Sequence, residues 1–151
     1  MKTFKSISRV LFLLVVFTVG VSAQDINVQN MIGKNKDDVI NKYGKPVYMD
    51  DSNSEMLCMF FKTNDTDITF VSDTQGIFQA EVRAAYSTEK KAQSVLDGFL
   101  KKAAGEKYSI DTVDTNAFSL KGEGAKVEVQ LMRNPITKKY NLNIKAKRSG
   151  L

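Results

Sequence analysis

An α+β fold, with helices packed on an antiparallel sheet, is predicted by three features of the chain. Apolar residues recur at helical spacing in only two segments, most of the remainder alternates with a period of two, and turn residues separate the strand-like runs at hairpin distances. Each half reads as a helix followed by about four strands, counting PVYMD as a short one. The expected architecture is therefore two tandem helix-plus-four-strand units. The residues of the halves do not match, so the repeat is one of layout, and the sequence leaves open whether the units share one sheet.

The first element is a leader. Lys2, Lys5 and Arg9 precede an apolar run from Val10 to Phe17, continued loosely to Val21, which is the plan of a secretory signal peptide. Such a run is shorter than the roughly 20 apolar residues a membrane span requires. Val21, Ser22 and Ala23 suit a signal peptidase, placing cleavage between Ala23 and Gln24. Gln24 is not the cysteine a lipid anchor would need, so residues 1–23 are expected to leave a secreted or periplasmic protein that does not span the membrane. Cleavage removes three positive charges and lowers the net charge from +5 to +2, which argues against a nucleic-acid partner. Lys138, Lys139, Lys145, Lys147 and Arg148 form a basic tail, read as a solvated strand face.

Residues 24–30 read as a polar lead-in, and a first unit spans 31–86. Asn35 can cap a short helix whose first turn carries Asp37 and Asp38, matched to the positive end of the helix dipole. Val39, Ile40 and Tyr43 share one face, Gly44 suits the left-handed position past the end, and Pro46 prevents continuation. Barely two turns long, this helix needs packing to persist.

EMLCMFFK (55–62) reads as a strand apolar on both faces, with Leu57, Met59 and Phe61 on one and Met56, Cys58 and Phe60 on the other. Either both faces are covered or one is an interaction surface. DITFVSD and GIFQAEVRAAY form a hairpin around Asp73–Gly76. In its second strand Phe78, Ala80, Val82, Ala84 and Tyr86 are expected inside, and Gln79, Glu81 and Arg83 outside.

A second unit, residues 87–151, opens with a helix whose stripe comprises Ala92, Val95, Leu96, Phe99, Leu100 and Ala103. Ser87 is the expected cap and Gly105 the expected stop. Gly98 in its interior costs about 1 kcal/mol relative to Ala, which suggests close approach of a neighbour. Four strands follow: YSIDTV, NAFSLKG, AKVEVQLMR and KYNLNIKAK, the last two joined by NPITK.

Chemical signatures are sparse. The chain has no histidine, which removes the commonest general base and metal ligand, and no glycine-rich phosphate loop. Cys58 is the only cysteine, lies mid-strand without a neighbouring cation, and reads as packed. Asp50, Asp51 and Glu55 lack the spacing of a calcium loop. No catalytic, cofactor or metal residue is assigned. Asn64-Asp65-Thr66 matches a glycosylation sequon.

The spacing of Gly33, Val39, Gly44 and Pro46, G-x5-V-x4-G-x-P, followed by MFF and ITFVSDTQGIFQAEV, resembles the SmpA/OmlA (BamE-like) family of outer-membrane assembly lipoproteins over Met31 to Val82. That resemblance implies helices on one face of a small antiparallel sheet. The family's lipid-bearing cysteine is missing, and residues 87–151 have no counterpart in its short members. The tandem layout is also similar to β-lactamase inhibitor protein, whose concave sheet binds another protein. Both comparisons imply a module that binds.

The function expected from these readings is a non-catalytic module engaging a protein or cell-envelope partner through a sheet face and adjacent loops. The candidate contact residues are Tyr48, Met49, Asp50, Asp51, Met56, Cys58 and Phe60. Two other classes stand beside it: a histidine-free hydrolase using facing carboxylates about 5–10 Å apart, and a purely structural envelope protein.

Overall fold

The computed structural model describes residues 25–150; the cleavage position at Ala23 and Gln24 lies outside them. A 3-10 turn, Val28–Met31, leads into helix α1 (Lys36–Tyr43). Four strands follow, β1 (Tyr48–Asn53), β2 (Met56–Lys62), β3 (Thr66–Asp73) and β4 (Gly76–Tyr86). Helix α2 (Glu89–Gly105) then precedes β5 (Ser109–Asp114), β6 (Ala117–Lys121), β7 (Ala125–Arg133) and β8 (Tyr140–Arg148).

The eight strands form one antiparallel sheet in the order β1-β2-β3-β4-β8-β7-β6-β5. This corrects the expected architecture of two tandem helix-plus-four-strand units. The last strand of each half pairs with the other, from Gln79 opposite Lys147 to Tyr86 opposite Tyr140. The physical reason is an edge problem. A half on its own would expose β4 or β8 as a long unpaired edge with an apolar face, and joining the two satisfies both ladders at once.

One face of this sheet carries the core. Met59, Phe70, Ala80, Ala146, Val127 and Leu120 lie on one continuous cross-strand row and are all essentially inaccessible. The helices cover it: Val39 from α1 and Ala92, Leu96, Phe99 and Ala103 from α2 are buried in the same cluster. Tyr43 packs on Phe70 and Phe61, with ring centroids 5.0 and 5.9 Å away. At this scale of apolar burial, roughly 1.5–3 kcal/mol per large side chain, the docked stripe holds an α1 too short to persist alone.

The ends of α1 follow from its sequence. Asn35 accepts a hydrogen bond from the Asp38 backbone N–H (2.9 Å), and the Asp38 carboxylate accepts one from the Asn35 N–H (3.2 Å), a reciprocal capping box. Gly44 closes the helix at φ +84°, its N–H donating to the Ile40 carbonyl at 2.8 Å.

Five local expectations are corrected. The segment 24–30 is no loose lead-in from residue 28 onward, because Val28 and Gln29 are buried under the sheet. In β4 the register shifts between Val71–Gln79 and Ser72–Ile77, so Phe78 is the extra residue of a bulge and Ile77 takes the core position. The bulged end is pinned by the loop after the 3-10 turn, where Gly33 donates to the Ile77 carbonyl (2.7 Å) and Ile77 to the Lys34 carbonyl (2.8 Å). Thr88 rather than Ser87 caps α2, accepting from the Lys91 N–H. Gly105 stays helical and the turn is completed by Glu106 and Lys107, the latter at φ +67°. Finally, Gly98 is exposed, and a Cβ there would meet nothing within 4 Å; no neighbour approaches it.

Candidate binding face on the open side of the sheet

The side of the sheet away from the helices has no covering layer among the described residues. Alternation places every second residue of each strand there, and the register aligns them into rows. One row runs across all eight strands: Tyr48, Phe60, Thr69, Glu81, Lys145, Glu128, Ser119 and Asp111. It passes from an aromatic end on β1–β2 to a charged centre and a polar far end.

The centre is the seam between β4 and β8. Lys145 lies 3.0 Å from Glu81, Gln79 donates to the same carboxylate at 2.9 Å, and Arg83 reaches it only at 4.0 Å. The Arg83 side chain is 75% accessible, so its guanidinium is held mostly in water, where such a pair contributes well under about 1 kcal/mol. It is available to a ligand. Two adjoining hollows meet at Glu81 and Arg83. The larger, about 680 Å³, is walled by Glu128, Gln130, Asn143, Lys145 and Val113, and the other, about 490 Å³, by Val47, Phe60, Lys62, Asp67 and Thr69. Together they make a shallow trough along the open face, with mixed charge, side-chain amides and an apolar end.

The expected contact residues divide between this face and others. Tyr48, Asp50, Met56, Cys58 and Phe60 share it by register and alternation. Tyr48 is 61% exposed and stacks on Phe60 with centroids 5.7 Å apart. Met49 stands opposite Met59 on the helix side of β1, yet is 43% exposed because no helix reaches that edge. Asp51 lies in the irregular stretch between Asp50 and Asn53 and lines a separate hollow beside Lys36. The two faces of β2 are thus unlike: Met59 and Phe61 are buried, while Cys58 and Phe60 are only half covered and Met56 is exposed. Partial burial raises the Cys58 thiol above its ordinary range and the Asp50 carboxylate adds to this, which lowers thiolate reactivity.

Glu81, Arg83, Glu128, Asn143 and Lys145 form the centre and were legible only as the wet sides of separate strands. Their convergence depends on β4 lying beside β8, which no local pattern encodes. Glu81 and Glu128 flank Lys145 at two strand spacings, about 10 Å. Among the described residues there is no group of three or more histidine, cysteine, aspartate or glutamate side chains placed to hold a metal ion, and no helix is long and apolar enough to cross a membrane.

No family model matches the chain, and no curated protein does. Solved structures similar to it include two from bacteria. An extracellular protein containing an SCP domain from Bacillus anthracis aligns at 14% identity and TM-score 0.48, covering 87% of this chain and 48% of that one. A cysteine-rich secretory protein from Staphylococcus aureus aligns at 10% identity and TM-score 0.45, covering 80% and 45%. The chain spans about half the length of the solved structures it matches.

The resemblances to the SmpA/OmlA (BamE-like) family and to the β-lactamase inhibitor protein are corrected accordingly. No family model supports the first, and the single eight-stranded sheet differs both from the small sheet the first implied and from the tandem units of the second. The G-x5-V-x4-G-x-P spacing has a local cause: it describes a capped two-turn helix with a left-handed glycine stop before an edge strand. Any fold needing that corner can use it.

Proposed function

We propose that the protein is a secreted, non-catalytic binding module that engages a protein or cell-envelope partner through the open face of its sheet. The observation that carries this reading is the asymmetry of the sheet. One face is buried under both helices, and the other presents a trough running from Tyr48 and Phe60 to the Glu81–Lys145 pair and Arg83. An aromatic anchor beside a lightly held arginine is the composition that concentrates binding energy at interfaces. Secretion is supported by the amino-terminal leader pattern, and the similar solved structures are described as extracellular and secretory.

Site-specific photocrosslinking tests it. A photoreactive side chain at Phe60 or Arg83 is expected to capture one stoichiometric partner in the native envelope or culture fluid, and one at Lys101 on exposed α2 is not. Capture from Lys101 with none from the two face positions refutes the reading.

A carboxylate hydrolase has one observation in its favour, the Glu81–Glu128 pair in the trough, near the upper limit of the separation used by inverting glycosidases. Its weakness is that Glu81 is engaged by Lys145 and Gln79. Polysaccharide hydrolysis lost in both Glu81→Gln and Glu128→Gln, with binding retained, would favour it over the binding module.

A further inference from the structure

One row of the open face is built against the local electrostatics. Next to the Glu81–Lys145–Glu128 row runs the series Gln79, Lys147, Lys126, Lys121 and Ser109. Three lysines thus stand directly opposite one another on the adjacent strands β8, β7 and β6. All three are exposed, and among the described residues none forms an ion pair within 4.0 Å. Directly opposed like charges destabilise a sheet. Several other described cations do have a carboxylate partner: Lys42 with Asp25, Lys62 with Asp67, Lys139 with Asp65, Lys145 with Glu81 and Arg148 with Asp73. The basic tail read from the sequence is therefore split by alternation and pairing. Arg148 and Lys139 are neutralised by aspartates, whereas Lys147 joins two lysines from other strands that no local run of sequence connects to it.

A costly arrangement left without internal compensation marks a functional surface. We infer that this lysine row binds a linear acidic glycopolymer, lying across the strands with its negative charges against Lys147, Lys126 and Lys121. The inference rests on the reading of the open face as the binding face and names the chemistry of one partner. Neighbouring strands set the lysines ~4.8 Å apart, a pitch suited to a chain carrying one anionic group per sugar. The next row offers Ser119, Glu128 and Lys145, groups that exchange hydrogen bonds with sugar hydroxyls. Nucleic acid fits less well, because the aromatic platform on which bases would stack, Tyr48 and Phe60, sits at the other end of the face.

Fluorescence anisotropy of the purified protein with labelled oligogalacturonate, at 50 and 300 mM NaCl, tests this. Binding is expected at low salt, weakening at least tenfold at high salt, with a length-matched neutral dextran not bound. The triple variant K121Q/K126Q/K147Q is expected to lose more than tenfold in affinity, while K90Q/K101Q/K102Q on α2, with the same net charge, loses less than threefold. The first triple variant should also melt at an equal or higher temperature, since it removes mutual repulsion. Equal losses in the two variants, tighter binding of duplex DNA than of the oligogalacturonate, or a lowered melting temperature in K121Q/K126Q/K147Q would each overturn the assignment. Partner capture from Phe60 or Arg83 that persists in K121Q/K126Q/K147Q alongside such a result sinks the glycopolymer inference alone; loss of capture from both positions in the otherwise unaltered protein sinks the binding-face reading.

Discussion

Gly98→Ala separates the pattern of the sequence from the packing of the structure. A glycine in the middle of an amphipathic helix suggests a close neighbour, and on that ground alanine would clash. In the folded protein Gly98 lies on the exposed side of α2, and an added Cβ meets nothing within 4 Å. The helix-propensity difference then acts alone, about 1 kcal/mol in favour of alanine, which for a domain of this size raises the melting temperature by roughly 3–5 °C. Two other glycines supply the opposite sign. Gly76 has φ +108°, and a Cβ there would stand 2.7 Å from the Lys34 carbonyl oxygen, which is fixed by its bond to Ile77; Gly76→Ala should cost about 2–4 kcal/mol. At Gly122 the Cβ would come within 2.5 Å of the Tyr108 ring, and Gly122→Ala should cost about 1–3 kcal/mol. The chain contains no tryptophan, so urea unfolding followed by far-ultraviolet circular dichroism is the assay. A Gly98→Ala midpoint below that of the parent, or a Gly76→Ala midpoint unchanged from it, would refute this account of the packing.

Three further outcomes are expected. Ile144→Ala, at a position 1% exposed between Val82 and Val129 at the seam, should cost about 2–5 kcal/mol in the same assay, whereas Lys145→Ala beside it should cost less than about 1 kcal/mol. Asn35→Ala breaks the capping box of α1 and should cost about 1 kcal/mol, with Asn35→Asp close to neutral. Burial alone would raise the Asp25 pKa, but hydrogen bonds from Asn27 and Lys42 hold the carboxyl down to about 2. Because the folded value lies below the unfolded one, its contribution is complete above about pH 4 and lost as pH falls toward 2. With the side chain a third exposed, the loss should be about 1 kcal/mol, and Asp25→Asn should remove that part of the acid dependence in urea titrations at pH 2–5.

The elements legible in the sequence are those whose causes are local. Asn35, Gly44 and Pro46 bracket α1, and alternation separates Leu57, Met59 and Phe61 from the opposite side of β2, because caps and pleats act within a few residues. The bulge at Phe78 escapes that logic, since it is imposed by Gly33 and Lys34, remote in sequence, bonding to Ile77. Val28 escapes it too: four of the five residues around it in DINVQN are polar, and only the sheet above explains its burial. For the binding face, the aromatic end was visible as an apolar side of β2 without an evident cover. The charged centre and the lysine row were invisible, because each needs the order in which distant strands are set side by side.

The seam between β4 and β8 also governs when the protein can fold. The strand that completes the middle of the sheet, β8, is synthesised well after its partner, and β4 must wait for it through all of α2 and β5–β7. Closing such distant pairs late is slow. A nascent chain therefore keeps the apolar ladder at this seam unmade until β8 has emerged. That order makes a truncation before Tyr140 a failure of the whole molecule rather than of one end.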